Sequence, residues 1–254
     1  MNAEERRQRI FDLLTREGHE SIEALAEVVK VSAMTIRRDL TTLENQGLIR
    51  RTHGGAVVLS NHFGEISLDY QIRQRQNAPI KRIIGQYAAQ QVQSGDAIFL
   101  DAGSSVLAMA PFLLKLPLLT VVTHSLPIAE KLSGHDSITV YLLGGQVRRD
   151  LMSVLGHQTE EFLATFRLSK AFIGTGGVDL ERGLTHDDSA EIAIKRLASR
   201  ISDGTYVLAD RSKIGKTGLM YYMPMSEVDM LITNNDEGVE IIKGHGALRE
   251  ARTC

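Results

Sequence analysis

Ser32-Ala-Met-Thr-Ile-Arg-Arg-Asp-Leu-Thr-Thr-Leu-Glu-Asn-Gln-Gly47 is the stretch from which the rest of this 254-residue chain can be read. Ile36, Leu40 and Leu43 recur at helical spacing and make one apolar stripe. Met34, Thr35, Arg37 and Arg38 lie off that stripe at the helix start, where side chains reach base edges or phosphates. Ser32 is a natural N-cap and Gly47 a natural stop. A basic, short-polar helix start packed on a small apolar core suits a reading head for the major groove.

Its surroundings complete a domain. Ile10, Leu13 and Leu14 mark a first helix that Gly18 ends. A second helix starts at Ser21 and puts Ile22, Leu25, Ala26 and Val29 on one side. After Gly47, two β-prone runs flank His53-Gly54-Gly55 and read as a hairpin. Three helices and a hairpin predict a winged helix-turn-helix over residues 1–58. The candidate DNA contacts are Ser32, Met34, Thr35, Arg37 and Arg38 on the reading helix, Arg50 and Arg51 at the wing base, and His53 at the wing turn. A protein-docking module of the same shape is the competing reading, and the adjacent exposed arginines weigh against it.

The formal net charge is -2, so any attraction to DNA has to be local. Residues 33–53 set Arg37, Arg38, Arg50 and Arg51 against Asp39 and Glu44. That excess is modest, which predicts a homodimer or homotetramer that pools phosphate contacts. With 43% hydrophobic and 24% charged residues the composition is that of an ordinary globular protein, long enough for two domains. The one cysteine, Cys254, excludes an intramolecular disulfide and a cysteine-based zinc site. The charged start lacks a signal-peptide core, and no run approaches the length of a membrane span. A cytoplasmic protein with no membrane partner is expected.

Residues 59–79 read as a linker carrying a helix around Leu68 to Gln76. From residue 80 to 254, a helix marked by Ile80, Ile83, Ile84, Tyr87, Ala88 and Val92 opens a series of short apolar runs that alternate with helices. The runs are Ala97–Leu100, Leu119–Val122, Thr139–Leu143, Ala171–Ile173, Thr205–Ala209 and Met230–Thr233. Helical stretches fall near 106–114, 127–133, 159–166 and 189–201. The alternation predicts an α/β domain with a mainly parallel sheet. Ligands of such sheets bind beyond the carboxyl ends of the strands, and the polar motifs sit there. Asp101-Ala-Gly103-Ser104-Ser105 leads into a helix whose start suits a phosphate. Gly144 and Arg148, Gly174 and Gly177, and Asp210 and Lys213 follow later runs. Lys195 either adds positive charge to that edge or only pairs on the surface with Glu191, one turn away. Amides and cations would take a phosphate, and Asp101 and Asp210 would take sugar hydroxyls.

The reading helix together with Arg51-Thr-His-Gly-Gly-Ala56 resembles the signature of the DeoR-type repressors, bacterial regulators of sugar-utilisation operons. In the second half, Asp101–Ser105, Leu143–Arg148, Phe172–Asp179, Ala209–Lys213 and Val228–Thr233 look like that family's sensor. The resemblance covers essentially the whole chain. It implies a Rossmann-like sensor similar in fold to the sugar-phosphate isomerases, a phosphorylated sugar effector, operator double-stranded DNA as partner, and no cofactor. Gly176 departs from the pattern, since an acidic residue is frequent at that position in this fold.

Other motifs fail on one residue each. Gly215-Lys216-Thr217 would end a P-loop, but Asp210 stands where its first glycine belongs. Leu107 breaks a nucleophile elbow and Asp179 a dinucleotide fingerprint. His186-Asp187-Asp188 is better read as the start of a capping box, Asp188 with Glu191, than as a metal site. A sugar-phosphate isomerase is the enzyme alternative, with Asp101, Asp179 and Glu191 as candidate bases.

Overall fold

The computed structural model describes residues 2–17, 19–45, 48–52, 54–58, 73–74, 76–235 and 238–243. The chain divides into two compact units, residues 1–68 and 69–254.

In the first unit, α1 (Ala3–Glu17), α2 (Ile22–Val29) and α3 (Ala33–Asn45) enclose a small core of Ile10, Leu14, Leu25, Ile36, Leu40 and Leu43. The sequence stripe is the buried face: Ile36 and Leu40 are fully enclosed, and truncating either to alanine would cost about 2–5 kcal/mol. Ser21 caps α2 by accepting the Ala24 N–H at 3.1 Å. Lys30 ends α2 in the left-handed conformation at φ 54°, which turns the chain sharply into α3. Three strands complete the unit: β1 (His19–Ser21), β2 (Ile49–Arg51) and β3 (Gly55–Val58), in the order β1-β3-β2. Strands β2 and β3 are the expected hairpin, and β1 is an addition to it. Gly55 makes this third strand possible, because a Cβ there would come within 1.9 Å of the Glu20 carbonyl oxygen.

In the second unit, α4 (Ala78–Ala89) leads into β4 (Ala97–Leu100), the two single turns α5 (Ser104–Leu107) and α6 (Ala110–Leu113), and β5 (Leu119–Thr123). Next come α7 (Leu126–Leu132), β6 (Ile138–Leu142), a hairpin of β7 (Gln146–Arg148) and β8 (Ser153–Leu155), and α8 (His157–Leu163). β9 (Leu168–Gly174), β10 (Gly177–Asp179), β11 (Gly183–His186), α9 (Ser189–Arg200), β12 (Ser202–Leu208), β13 (Met220–Met223), β14 (Met230–Asn235) and β15 (Gly238–Lys243) follow.

The central sheet has seven strands in the order β15-β14-β12-β9-β4-β5-β6, parallel throughout except for the β14–β15 pair. Alternate residues of one strand enter opposite cores. Ile98, Leu100, Phe172, Leu208 and Ile232 pack on one face with α4 to α7. Phe99, Ile173, Val207 and Leu231 pack on the other with α8 and α9. A sheet covered on both faces needs nearly continuous apolar strands, which is why each predicted run coincides with one. After β4 the chain winds to one side through β5 and β6, then to the other through β9, β12 and β14. The reversal leaves a crevice outside the carboxyl ends of β4 and β9. The linker helix expected around Leu68 to Gln76 falls largely outside the described residues.

Candidate nucleic-acid interface and ligand pocket

At the start of α3, Ser32 Oγ accepts the Thr35 N–H at 3.2 Å and lies 3.0 Å from Thr35 Oγ1. This cap fixes the helix start and leaves Met34 70% exposed beside the exposed Arg37 and Arg38. Asp39, one position on, is buried. Arg6 grips it with bonds of 2.6 and 3.2 Å, and Arg7 adds an ion pair at 3.9 Å. Asp39 raises the pKa of Arg6 mainly through that hydrogen bond, against the effect of burial. Glu44 accepts the Arg51 backbone N–H at 3.0 Å, and the Arg51 guanidinium donates to Thr41 Oγ1 at 3.1 Å. Asp39 is therefore offset by arginines outside the sequence count, and the surface around Arg37 and Arg38 is more positive than that count implies, while Glu44 keeps its charge beside Arg51. Arg50 lies in β2, and His53 is outside the described residues.

In the second unit, a cavity opens at the crevice between β4 and β9. Its floor is the loop Ala102–Ser105 after β4, Gly174 and Thr175 after β9, and Leu208–Asp210 at the end of β12. Gly103 and Gly174 let two backbones meet there, a Cβ on Gly103 lying 3.3 Å from the Gly174 Cα. Arg73, Lys81, Lys195 and Lys213 bring positive charge to the walls, and Glu191 and Asp210 bring negative.

Beneath this floor Asp101 is fully buried. Its Oδ2 accepts from Lys195 Nζ at 2.6 Å and from the Gly174 N–H at 2.8 Å, while Oδ1 faces His124 Nε2 at 3.0 Å. Burial alone would raise the pKa of Asp101, but the charge of Lys195 and the contact with His124 outweigh it and hold the carboxyl well below the usual range. Lys195 shows the mirror image: burial lowers its pKa, and Asp101 and Glu191 together drive it above the ordinary lysine value. Tyr222, buried nearby, is pushed up to about 12 chiefly by burial.

His186 accepts the Asp188 N–H on Nδ1 at 3.1 Å, so the neutral ring carries its proton on Nε2, 3.4 Å from Glu191. Burial, and then the charge of Lys195, lower its pKa. Lys81 is likewise lowered by burial, with Lys213 and Arg73 adding to the fall and Asp210 opposing it.

Of the residues expected to bind an effector, Gly103, Ser104, Ser105, Gly174, Lys195, Asp210 and Lys213 line the cavity, and Asp101 lies directly below it. Three do not line it. Arg148 is clamped by Asp150 at 2.8 and 3.0 Å and by Asp188 at 3.1 Å. The Gly144 carbonyl accepts from Thr159 Oγ1 at 2.8 Å. Gly177 packs so closely that a Cβ would sit 2.2 Å from the Lys216 carbonyl oxygen.

The capping box is half formed. Asp188 caps α9 by accepting the Ala190 N–H at 2.9 Å and the Glu191 N–H at 3.3 Å. Glu191 does not reciprocate; it turns inward to Lys195 at 3.1 Å, and the pair is buried rather than on the surface. The helix expected over 106–114 is two single turns, so its dipole offers an anion little and the side-chain cations offer more. Sequence reasoning missed Arg73, Lys81 and His124. Arg73 falls in a polar stretch read as linker, and Lys81 in a helix read only for its apolar stripe. His124 directly follows β5, where a strand-end position was the available signal.

Comparison with known proteins bears on both units. Residues 6–62 match the DeoR-like helix-turn-helix domain, and residues 76–235 the DeoR C-terminal sensor domain. The HTH-type transcriptional regulator FruR of Bacillus subtilis is 34% identical over 92% of this chain and 92% of its own length. The transcriptional repressor GlcR of the same organism is 34% identical over 92% of this chain and 89% of its own. The glycerol-3-phosphate regulon repressor of Escherichia coli is 30% identical over 96% of this chain and 95% of its own. Ribose 5-phosphate isomerase A of Neisseria gonorrhoeae overlays 65% of this chain and 96% of its own at a TM-score of 0.47 and 15% identity. The chain belongs to the DeoR family: it is a helix-turn-helix regulator of transcription joined to a sensor domain.

Proposed function

We propose that this regulator is a repressor of a sugar or polyol operon, held on its operator as a dimer or tetramer and released when a phosphorylated sugar enters the sensor cavity. The observation that carries the reading is the cavity at the β4–β9 reversal, whose lining combines Lys81, Lys213 and Arg73 with Gly103, Ser104 and Ser105. Burial, and after it the charges of Lys213 and Arg73, lower the pKa of Lys81, and a phosphate there would favour its charged form. Asp210 and Glu191 offer acceptors to the hydroxyls of a polyol on the same ligand. Lys195 is already committed to Asp101 and Glu191, and sets the position of the floor rather than meeting the phosphate as a free charge.

On the DNA side, Ser32, Met34, Thr35, Arg37 and Arg38 form the groove-facing edge of α3, with Arg50, Arg51 and His53 contributing from the wing. Two or more heads multiply the modest affinity of one. The relatives named as regulators and repressors support this reading over an isomerase, and so does the site itself. Asp101 is sealed from the cavity by its own bonds, Asp179 does not line it, and Glu191 is paired with Lys195.

The test is a thermal-shift and calorimetric screen of pentose, hexose and glycerol phosphates, followed by operator binding at fixed salt with and without each binder. A phosphorylated sugar that binds and weakens operator affinity is the expected result. Binding without any change in operator affinity would refute the switch, and undiminished binding heat in Lys213→Ala would refute the site.

A further inference from the structure

In the segment just before α4, Arg73 and Gln76 line the cavity, and the side chains of Arg73 and Asn77 are fastened to its two walls. On one side, the Arg73 guanidinium donates to the backbone carbonyl of Asp150. The Asp150 carboxylate is held by Arg148, whose other nitrogen donates to Asp188 at 3.1 Å, and Asp188 caps α9, the helix that carries Glu191 and Lys195. On the other side, the Asn77 side-chain amide donates to Asp210 Oδ1 at 3.2 Å. That oxygen also accepts the Ser212 N–H at 3.0 Å and so caps the turn Arg211–Lys213. Across the middle, the Lys81 ammonium donates to the carbonyl of Arg73.

Asn77 holds a left-handed backbone, φ 57° and ψ 29°, at the start of α4. Asparagine tolerates that conformation better than most residues, and its side chain spends the resulting direction on Asp210.

We propose that Asn77 and Arg148 are positioning residues that tie this segment to the two cavity walls, so that an occupied cavity is sensed as a change in how the segment is fastened. The inference rests on the cavity being the phosphosugar site proposed above. Its physical basis is competition for shared groups. The Asp210 carboxylate that receives Asn77 is the acceptor a sugar hydroxyl would use. Lys81 and Arg73, which bond to backbone carbonyls here, are cations a phosphate would draw toward itself. Neither fastening keeps its full strength once those groups face a ligand. In sequence, Arg73 and Asn77 lie at the start of the sensor unit, on the side from which the chain comes from the DNA-reading unit, so refastening acts at the sensor's end of that connection. Neither Asn77 nor Arg148 lines the cavity, which separates their role from direct ligand contact.

The experiment uses the full chain, an operator duplex selected from a random pool, and the phosphorylated sugar giving the largest thermal shift, with inorganic phosphate as control. Asn77→Gly keeps the left-handed backbone and removes the amide, and Arg148→Gln cuts the Asp150–Asp188 clamp while keeping a polar side chain. Calorimetry reads sugar affinity, and titration of DNA with and without the sugar reads the coupling. Allosteric coupling is typically about 5–150-fold, and in both variants it should fall below about 2-fold while sugar affinity stays within about 3-fold of the parent. Full coupling in both variants overturns the proposal. Loss of sugar binding together with coupling also overturns it, since the residues would then serve the cavity itself. If no phosphorylated sugar binds the parent chain, the site reading fails first and the relay with it.

Discussion

Asp39 and Asp101 are both carboxylates buried in the core of a unit and both held by cations, yet they do opposite work. Asp39 meets arginines that reach the surface: its side chain is 4% exposed and that of Arg6 16%. Asp101 meets a lysine as enclosed as itself, at 0% and 1%. The first pair clips α1 to α3 and withdraws a negative charge from the face that carries Arg37 and Arg38. The second is sealed in low dielectric, where each charge depends on the other, and it fixes the floor of the sensor cavity. The face around Arg37 and Arg38 is kept positive by hiding an acid. The floor of the cavity is held in place by burying a complete pair.

Breaking the sealed pair should have the largest effect. Lys195→Met leaves Asp101 uncompensated and should cost the sensor about 3–5 kcal/mol in a urea melt of the full chain. Adding Asp101→Asn should restore part of that loss, and a Lys195→Met variant as stable as the parent would remove the contrast. Asp39→Asn should cost less, about 1.5–3 kcal/mol, because water reaches the arginines it leaves behind. Equal losses at the two sites would show that exposure is not what separates them.

A smaller effect is expected from acid. The lowered pKa of His186 means that its contribution is present above the unfolded value of about 6.5 and is lost as pH falls through the folded value. Asp101 acts in the same direction lower down, its contribution complete above about pH 4 and lost beneath it. Sensor stability should therefore decline on acidification from about pH 6.5, and His186→Gln should flatten the upper part of that slope. The smallest stability change belongs to the exposed arginines. Arg37→Ala with Arg38→Ala should leave the melt within about 0.5 kcal/mol while lowering the salt slope of DNA binding by about 2 for each head bound. A large stability loss there would mean those side chains support the fold rather than read DNA.

Much of this molecule can be read from one-dimensional pattern. Ile36, Leu40 and Leu43 announce α3 because a buried helix face must repeat every three to four residues. The central strands are legible because both their faces are covered. What escaped depends on partners distant in sequence. The three residues of β1 have no periodicity of their own and become a strand only against β3. The antiparallel group β10, β11 and β13 likewise rests on pairing between distant segments. Helical spacing placed Glu191 and Lys195 side by side, but spacing does not say whether that side faces water or Asp101. Lys81 illustrates the same gap, since a lysine in an amphipathic helix is ordinarily taken for surface.

The close approach at Gly55 has a bearing on how such proteins diverge. The Ile22 N–H bonds to the Gly54 carbonyl at 3.0 Å, and α2 begins at that same residue. A single added methyl at position 55 would wedge β1 from β3 and carry the first turn of α2 with it. The strands of the wing and the start of α2 are thus geared together, so a new base preference is easier to reach by changing side chains on α3 than by remodelling the hairpin.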